Sequence, residues 1–121
     1  MTVIELNRYV PVKRENIAQI EASVGRTEEG FEIRAALPGV EKEKISVVLE
    51  SGRLLIRARR EPAFKGGREI RRELETGEMT KEFYLPDTID TEGVTSRYEK
   101  GVLLVRLPLR QQSGPRAVSI E

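Results

Sequence analysis

The chain has 121 residues, of which 38% are hydrophobic and 34% charged, as is typical of one globular domain with short tails. It contains no Cys and no His, which excludes disulfides, thiol nucleophiles, imidazole acid–base catalysis and the usual zinc and iron sites. Its 21 basic and 20 acidic residues leave a net charge of +1 and are interleaved, which argues against a nucleic-acid partner.

The longest uninterrupted apolar run, residues 102–105, is far shorter than the roughly 20 residues that span a bilayer. The first residues lack the plan of a signal peptide, so we expect a cytoplasmic protein with no membrane partner. Only Asp87 and Asp90 are aspartates, which makes a clustered-carboxylate metal site unexpected, and no cofactor is predicted. The high charge and scarcity of amide side chains favour a thermophile composition.

Residues 1–18 form a predicted N-terminal arm whose apolar side chains have no clear partner inside a domain. Such an arm is either an exposed apolar contact or half of an interface. Residues 11–20 have the apolar spacing of a short amphipathic helix, whereas residues 19–24 equally suit a strand, and both alternatives stay open.

From about Ser23 onward the hydrophobic period is two, which indicates strands with one buried face. The first strand ends at Pro38-Gly39. Its apolar face consists of Phe31, Ile33, Ala35 and Leu37. The charged residues 41–44 are predicted to form a turn rather than a helix, because strand alternation starts directly after them.

A hairpin follows, in which residues 45–50 and 53–58 flank the turn Ser51-Gly52. A two-residue X-Gly turn suits type I′ geometry and places Glu50 opposite Arg53. The same pattern recurs 49 residues later around Lys100-Gly101 and predicts a second hairpin that pairs Ser96 with Val105 and Tyr98 with Leu103. Between the hairpins, residues 79–85 put Phe83 and Leu85 on one face of another strand.

Proline follows leucine at three predicted strand ends, Pro38, Pro86 and Pro108. Several short strands with frequent turn signals and almost no helical periodicity predict an all-β sandwich. Motifs of enzymes are not matched. The spacing of Gly25 and Gly30 suits a phosphate loop, but the required Lys and Ser or Thr do not follow.

Together these segments resemble the small heat-shock protein family, with its α-crystallin domain at residues 19–109, an arm at 1–18 and a tail at 110–121. The segments that carry the resemblance are residues 31–40, 45–59, 83–86 and 98–108. Residues 96–103 resemble the family signature A-x-x-x-N-G-V-L, with Ser96 at its Ala and Lys100 at its Asn. The resemblance implies an immunoglobulin-like antiparallel β-sandwich that dimerises by strand exchange.

The resemblance places the exchanged strand at residues 68–74, on a projecting loop whose tip or hinge lies at residues 63–67. This strand is expected to pair with the neighbour's strand near residues 19–24. Only two of its side chains are apolar, too few for a core strand of one chain, and a partner strand would also cover an open sheet edge. The candidate exchange residues are Arg68, Ile70, Arg72 and Leu74.

The C-terminal residues Val118-Ser119-Ile120 resemble the family's I-x-I/V motif, in which an extended tail adds along the edge of a neighbouring dimer. Alternate strand residues face the same way about 6.6 to 7 Å apart, so Val118 and Ile120 would fill adjacent pockets. By family correspondence the receiving groove lies between residues 45–50 and 94–99. Its candidate lining residues are Val47, Leu49, Ser96 and Tyr98, with Val48 left open.

The function implied by the resemblance is ATP-independent holding of unfolding proteins, which requires exposed apolar surface and no catalytic group. The implied partners are unfolded clients and further copies of the chain, as a homodimer and a larger homo-oligomer, without nucleotide, nucleic acid or membrane. Candidate client contacts are Val3, Ile4, Leu6, Tyr9, Val10 and Val12. The alternatives are a co-chaperone-type β-sandwich without holdase activity and a hydrolase that uses two of the 18 glutamates.

Overall fold

The structure, a computed structural model, describes residues 5–6, 18–111 and 118–121. These contain nine strands and two single turns of 3-10 helix, at Lys42–Lys44 and Thr91–Gly93. The strands are β1 Glu5–Leu6, β2 Ala18–Gln19, β3 Ala22–Arg26, β4 Gly30–Ala36, β5 Ile45–Glu50, β6 Arg53–Arg60, β7 Gly77–Tyr84, β8 Thr95–Glu99 and β9 Val102–Pro108.

The strands form two sheets, which confirms the predicted β-sandwich. The first sheet has the order β1-β7-β6-β5, and β2 pairs in parallel with β7. The second sheet has the order β3-β4-β9-β8, and all its pairs are antiparallel. Strands β5 and β8 are therefore each the last strand of their sheet, which matters for the site described below.

The core lies between the two sheets and follows the predicted alternation. Every second residue of β4, β6 and β9 is buried, as the period of two requires. Phe83 on β7 and Ile33 on β4 are completely buried. Removing a large side chain at such positions costs about 2–5 kcal/mol, so these residues contribute strongly to the stability of the sandwich.

Both predicted hairpins are confirmed with the predicted registers. Glu50 pairs with Arg53, Ser96 with Val105 and Tyr98 with Leu103. The turn residues have positive φ, 50° and 75° at Ser51 and Gly52 and 51° and 77° at Lys100 and Gly101, as a type I′ turn demands. Lysine thus takes the left-handed position where the family signature has Asn.

The structure decides between the helix and strand alternatives where it describes residues 11–24. Residues 18–19 and 22–26 are strands, which confirms the strand alternative there, while residues 11–17 lie outside the described residues. The charged stretch before β5 forms one turn of 3-10 helix that leads directly into the strand, as expected of a turn. Pro38 and Pro86 follow strands, and Pro108 is the last residue of β9.

Candidate functional site

The two terminal strands β5 and β8 flank a cleft between the sheets. The cleft has a volume of about 320 Å³. It is lined by Lys42, Ile45, Val47, Ser96, Arg97, Tyr98 and Leu103. This is the position at which the family correspondence puts the groove for the tail.

The hairpin registers determine which backbone groups face this cleft. In a two-residue hairpin the residues flanking the turn exchange both backbone hydrogen bonds, and the following pairs alternate. Val47 and Leu49 on β5 therefore belong to non-hydrogen-bonded pairs, as do Ser96 and Tyr98 on β8. Their backbone amides and carbonyls point away from the neighbouring strand, beyond the edge of the sheet. No strand among the described residues pairs with either edge.

Three of the four predicted groove residues line the cleft together, namely Val47, Ser96 and Tyr98. The hydroxyl of Tyr98 lies 2.6 Å from the carbonyl oxygen of Leu37 and 2.7 Å from that of Val40, so its ring is held in the wall. Leu49 instead lines a second cavity nearer the hairpin turn, although its backbone lies on the same edge.

The C-terminal motif is exposed in the single chain. The side chains of Val118 and Ile120 belong to residues that are 77% and 99% exposed, so neither occupies the cleft. Residues 112–117, which connect them to the sandwich, lie outside the described residues. Two β-branched side chains spaced for adjacent pockets are therefore available to another surface.

The predicted exchange segment, residues 68–74, forms no strand in this chain. Ile70 is 95% exposed, and the segment contains two local ion pairs, Arg71 with Glu73 and Arg72 with Glu69. With so little apolar burial, the segment is presented to solvent rather than packed in the core.

The strand expected to receive that segment, β3, has an open edge. The amide of Ala36 donates to the carbonyl oxygen of Glu21 at 2.8 Å, which makes Ala22 and Ala35 a non-hydrogen-bonded pair. The backbone groups of Ala22, Val24 and Arg26 consequently point away from β4. Among the described residues no strand pairs with them.

Sequence reasoning missed Arg60, a buried charged residue at the base of the projecting loop. Its Nε donates to the carbonyl oxygen of Pro38 at 2.8 Å and its Nη1 to that of Glu75 at 2.6 Å. No carboxylate in residues 18–111 forms an ion pair with it. The period-two alternation of β6 that buries Ala58 also buries Arg60, so this sequence pattern could have predicted the burial of Arg60.

Ion pairs lie at both ends of β6, at Glu61 where the loop begins and at Arg53 beside the hairpin turn. Partial desolvation raises the pKa of Glu61, but Lys44 at 3.5 Å and Arg59 at 3.3 Å outweigh it and hold the pKa below its ordinary value. A hydrogen bond from Arg53 to Glu82, at 2.8 Å, raises the pKa of that guanidinium. Both groups are at the surface, so they remain charged near neutral pH.

The predicted client contacts lie mostly beyond the described residues, which include only Leu6 of that set. Leu6 belongs to β1 and pairs with Phe83 on β7. The remaining members of that set are Val3, Ile4, Tyr9, Val10 and Val12.

The described part of the chain offers neither a metal-binding cluster nor a membrane-spanning helix. It contains no group of three or more acidic, Cys or His residues placed to hold a metal ion. A helix with the length and hydropathy needed to cross a membrane is also absent from these residues.

A model of the Hsp20/alpha crystallin family matches residues 23–121. A 22.0 kDa heat shock protein of Arabidopsis thaliana is 34% identical over 122 residues, which cover 92% of this chain and 63% of that protein. An 18 kDa heat shock protein of Streptomyces albus G is 34% identical over 87 residues, which cover 69% of this chain and 60% of that protein. The chain thus spans about three fifths of the length of these relatives.

Solved structures show the same similarity. A small heat-shock protein from Xylella fastidiosa superposes with a TM-score of 0.74 at 27% identity, covering 84% of this chain and 95% of that one. The hspA protein of Xanthomonas axonopodis gives a TM-score of 0.68 at 30% identity, covering 78% and 94% of the two chains.

Proposed function

Because this chain belongs to the Hsp20/alpha crystallin family of small heat-shock proteins, we propose that it is an ATP-independent holdase that binds unfolding proteins and prevents their aggregation. The family consists of chaperones rather than enzymes, so the hydrolase alternative is set aside. The observation that carries the proposal is the combination of a cleft between two open strand edges with an exposed Val118-Ser119-Ile120 tail.

The first level of assembly is a homodimer formed by strand exchange. The open edge of β3 offers the outward amides and carbonyls of Ala22, Val24 and Arg26, and residues 68–74 form an exposed segment that pairs with no strand in the described part of the chain. Antiparallel or parallel addition of one to the other would satisfy these groups and cover the edge. The described geometry supports this pairing because neither the outer edge of β3 nor residues 68–74 pair with a strand among the described residues.

The second level is docking of the tail into the cleft of a neighbouring dimer. Val47 and Leu49 on one edge and Ser96 and Tyr98 on the other offer unpaired backbone groups to an added strand. Burying the two apolar side chains of the tail contributes about 3–5 kcal/mol before the ordering entropy is subtracted. Single contacts are then weak and exchangeable, and a homo-oligomer forms through many of them.

Clients are unfolded proteins, which expose apolar segments of their own. The surfaces proposed to bind them are the apolar arm (Val3, Ile4, Leu6, Tyr9, Val10 and Val12) and the cleft vacated when the tail undocks. Neither surface needs a nucleotide or an acid–base group, because burial of apolar area supplies the free energy.

The cytoplasmic location, the thermophile origin and the division into arm, domain and tail stay predictions.

The test is aggregation of a heat-unfolding model client, followed by turbidity without ATP at increasing ratios of this chain. We expect suppression at stoichiometric ratios, against an inert protein of similar size as control. Absence of suppression at every temperature, while the chain stays folded, would contradict the holdase proposal and favour the co-chaperone alternative.

A further inference from the structure

The charges at the rim of the cleft between β5 and β8 have one sign. Two charged residues of the described part of the chain line the cleft, Lys42 and Arg97, and both are basic. The guanidinium of Arg97 pairs with the carboxylate of Glu99 at 3.1 Å. Lys42 is flanked in sequence by Glu41 and Glu43, but it forms an ion pair with no carboxylate among the described residues. Within this part of the chain, Lys42 is thus an unpaired cation at the rim.

Lys42 marks one end of the cleft. It lies on the turn of 3-10 helix that directly precedes β5, so it lies beyond Ile45, the first residue of that strand. Across the cleft, Tyr98 is tied to the same end, because its hydroxyl lies 2.7 Å from the carbonyl oxygen of Val40. Leu49 is four strand steps from Ile45, about 14 Å, toward the hairpin turn. A segment added along β5 therefore meets Lys42 at only one of its two ends.

The other end of β5 is balanced in charge. The charged residues that line the second cavity there are two acids and two bases: Glu50, Asp87, Arg53 and Arg110. The guanidinium of Arg53 is already paired with Glu82 at 2.8 Å. An added carboxylate therefore finds no excess of positive charge at this end.

The exposed tail carries a negative charge directly after its second anchor. Glu121 follows Ile120 and is exposed, as are the anchors Val118 and Ile120 themselves. In an extended strand, a residue next to an anchor faces the opposite way about 3.4 Å further on, so Glu121 would lie at the rim when Ile120 fills a pocket. The ammonium of a lysine stands on a flexible four-carbon stem and can follow a carboxylate at such a rim.

We propose that the tail of a second copy docks antiparallel to β5, with the carboxylate of Glu121 paired with the ammonium of Lys42. Ile120 then packs at the Ile45 end of the cleft. This direction, which rests on the tail docking proposed above, makes Lys42 a positioning residue for assembly. The opposite direction carries Glu121 to the balanced end and leaves Lys42 without a counter-ion.

The ion pair selects the direction and adds little affinity. An exposed pair changes the dissociation constant of one contact by up to about fivefold, and salt screens it. The apolar anchors supply most of the affinity, but a β-branched residue on each side of Ser119 fits both directions almost equally. Charge is therefore the feature that distinguishes the two directions, and many contacts in one assembly multiply a small preference at each.

Exchange of the two charges tests the pair. Lys42→Glu and Glu121→Lys each bring like charges together, so each is expected to raise the protein concentration at which large assemblies dissociate by at least about twofold at low salt. The double variant Lys42→Glu/Glu121→Lys restores the attraction and should return close to the natural value. Light scattering over a dilution series measures this concentration, and the differences should shrink at high ionic strength.

Mixing the two single variants tests whether the tail comes from a second copy. Chains with Lys42→Glu and chains with Glu121→Lys each repel their own kind, whereas across the two kinds every tail meets a cleft of opposite charge. The mixture is therefore expected to assemble at lower concentration than either variant alone. A mixture that assembles no better than its components would overturn the proposal.

Two matched controls reverse the same charge elsewhere. Lys44→Glu lies on the same 3-10 turn, but Lys44 pairs with Glu61 at 3.5 Å and does not line the cleft. Arg110→Glu lies at the balanced end. We expect Glu121→Lys to rescue neither control. Equal rescue of either one, or no rescue of Lys42→Glu, would overturn the assigned pair, and rescue of Arg110→Glu alone would show the opposite direction.

The double variant Val118→Ser/Ile120→Ser separates failure of this pair from failure of the proposed tail docking. If it lowers the mass of the assembly while the variants at Lys42 and Glu121 keep theirs, the tail docks but the direction assigned here is wrong. If it keeps its mass, the docking itself is wrong, and the direction with it. The turbidity assay for holdase activity is read independently of both results.

Discussion

Arg60 is a charged residue whose side chain is buried in apolar surroundings. A guanidinium inside an apolar core is tolerated because it binds two backbone carbonyls, of Pro38 at the end of β4 and of Glu75 at the end of the long loop. These two carbonyls belong to segments far apart in the chain. Arg60 therefore ties both ends of the loop that carries residues 68–74 to the rest of the sandwich.

Replacing this side chain tests its role as a positioning residue. Arg60→Met leaves the carbonyls of Pro38 and Glu75 without their donor, and an unsatisfied buried polar group costs about 1–3 kcal/mol. We expect the free energy of unfolding in urea to fall by about that amount and the dimer to dissociate at higher protein concentration. Arg60→Lys should rescue only partly, because an ammonium lacks the planar fork that reaches both oxygens.

The control for that prediction is Arg57→Met. Arg57 lies on the same strand but points to solvent, and surface substitutions of this kind change stability by about 0.5 kcal/mol or less. Equal effects of the two variants on unfolding and on dimerisation would contradict the special role of Arg60.

At the scale of elements, the edge strands β3, β5 and β8 are ordered and still present one side for pairing. Each is held on one side by a ladder, and on the other side its backbone groups pair with no strand in residues 5–6, 18–111 and 118–121, so it can accept a further strand without rearranging the core. The registers show which residues direct their backbone amides and carbonyls outward. On β5 these are Val47 and Leu49, and on β3 they are Ala22, Val24 and Arg26. A backbone substitution can therefore remove one outward donor and leave the internal ladder intact.

Val24→Pro tests strand exchange in this way. Proline removes the outward amide at position 24 and is tolerated on an edge strand, so the β3–β4 ladder keeps its hydrogen bonds. We expect the dimer to weaken while the β-sheet circular dichroism of the sandwich is retained, as measured by sedimentation at several concentrations.

The matched control for strand exchange is Val24→Ala, which removes the same apolar side chain but keeps the amide. We expect it to dimerise more tightly than Val24→Pro. If Val24→Pro dimerises as the natural sequence does, the edge of β3 is not where the partner strand binds.

At the scale of the whole molecule, the sandwich combines a closed apolar core with strand edges that are open among the described residues. The core residues are buried within one chain. Among the residues that the structure describes, no strand pairs with the tail, with residues 68–74 or with the outer edges of β3, β5 and β8. In the assembly proposed above, contacts between copies can therefore change without unfolding of the sandwich. The sandwich would determine the stability of each chain, and the contacts between copies would determine the size of the assembly.

Replacing both Val118 and Ile120 by Ser tests the tail contact. The tail lies outside the core, so the temperature of unfolding of the sandwich should change little, while large assemblies should dissociate to dimers. Light scattering measures the mass, and Ser119→Ala serves as the control, since in an extended docked tail its side chain would face away from both anchors. A double variant of undiminished mass would contradict docking of the tail.

Local pattern explains how much of the fold was predictable. The period of two around Ile33 and the X-Gly turns at Gly52 and Gly101 depend on neighbours in sequence, so strands and both hairpin registers could be read without coordinates. The candidate site was predictable in part. Val47, Ser96 and Tyr98 meet in one cleft, but Leu49 lines another, because the cleft depends on how two sheets meet.

The sequence by itself determined the β class, the hairpins and, through resemblance, the family, since these are encoded in spacing and turn chemistry along short segments. Only the tertiary structure decided the burial of Arg60 and the anchoring of Tyr98. Their hydrogen bonds join residues 22 and 61 positions apart, to Pro38 and Leu37 respectively. Contacts of that separation depend on the packing of segments that are distant in the sequence, and a local pattern carries no record of that packing.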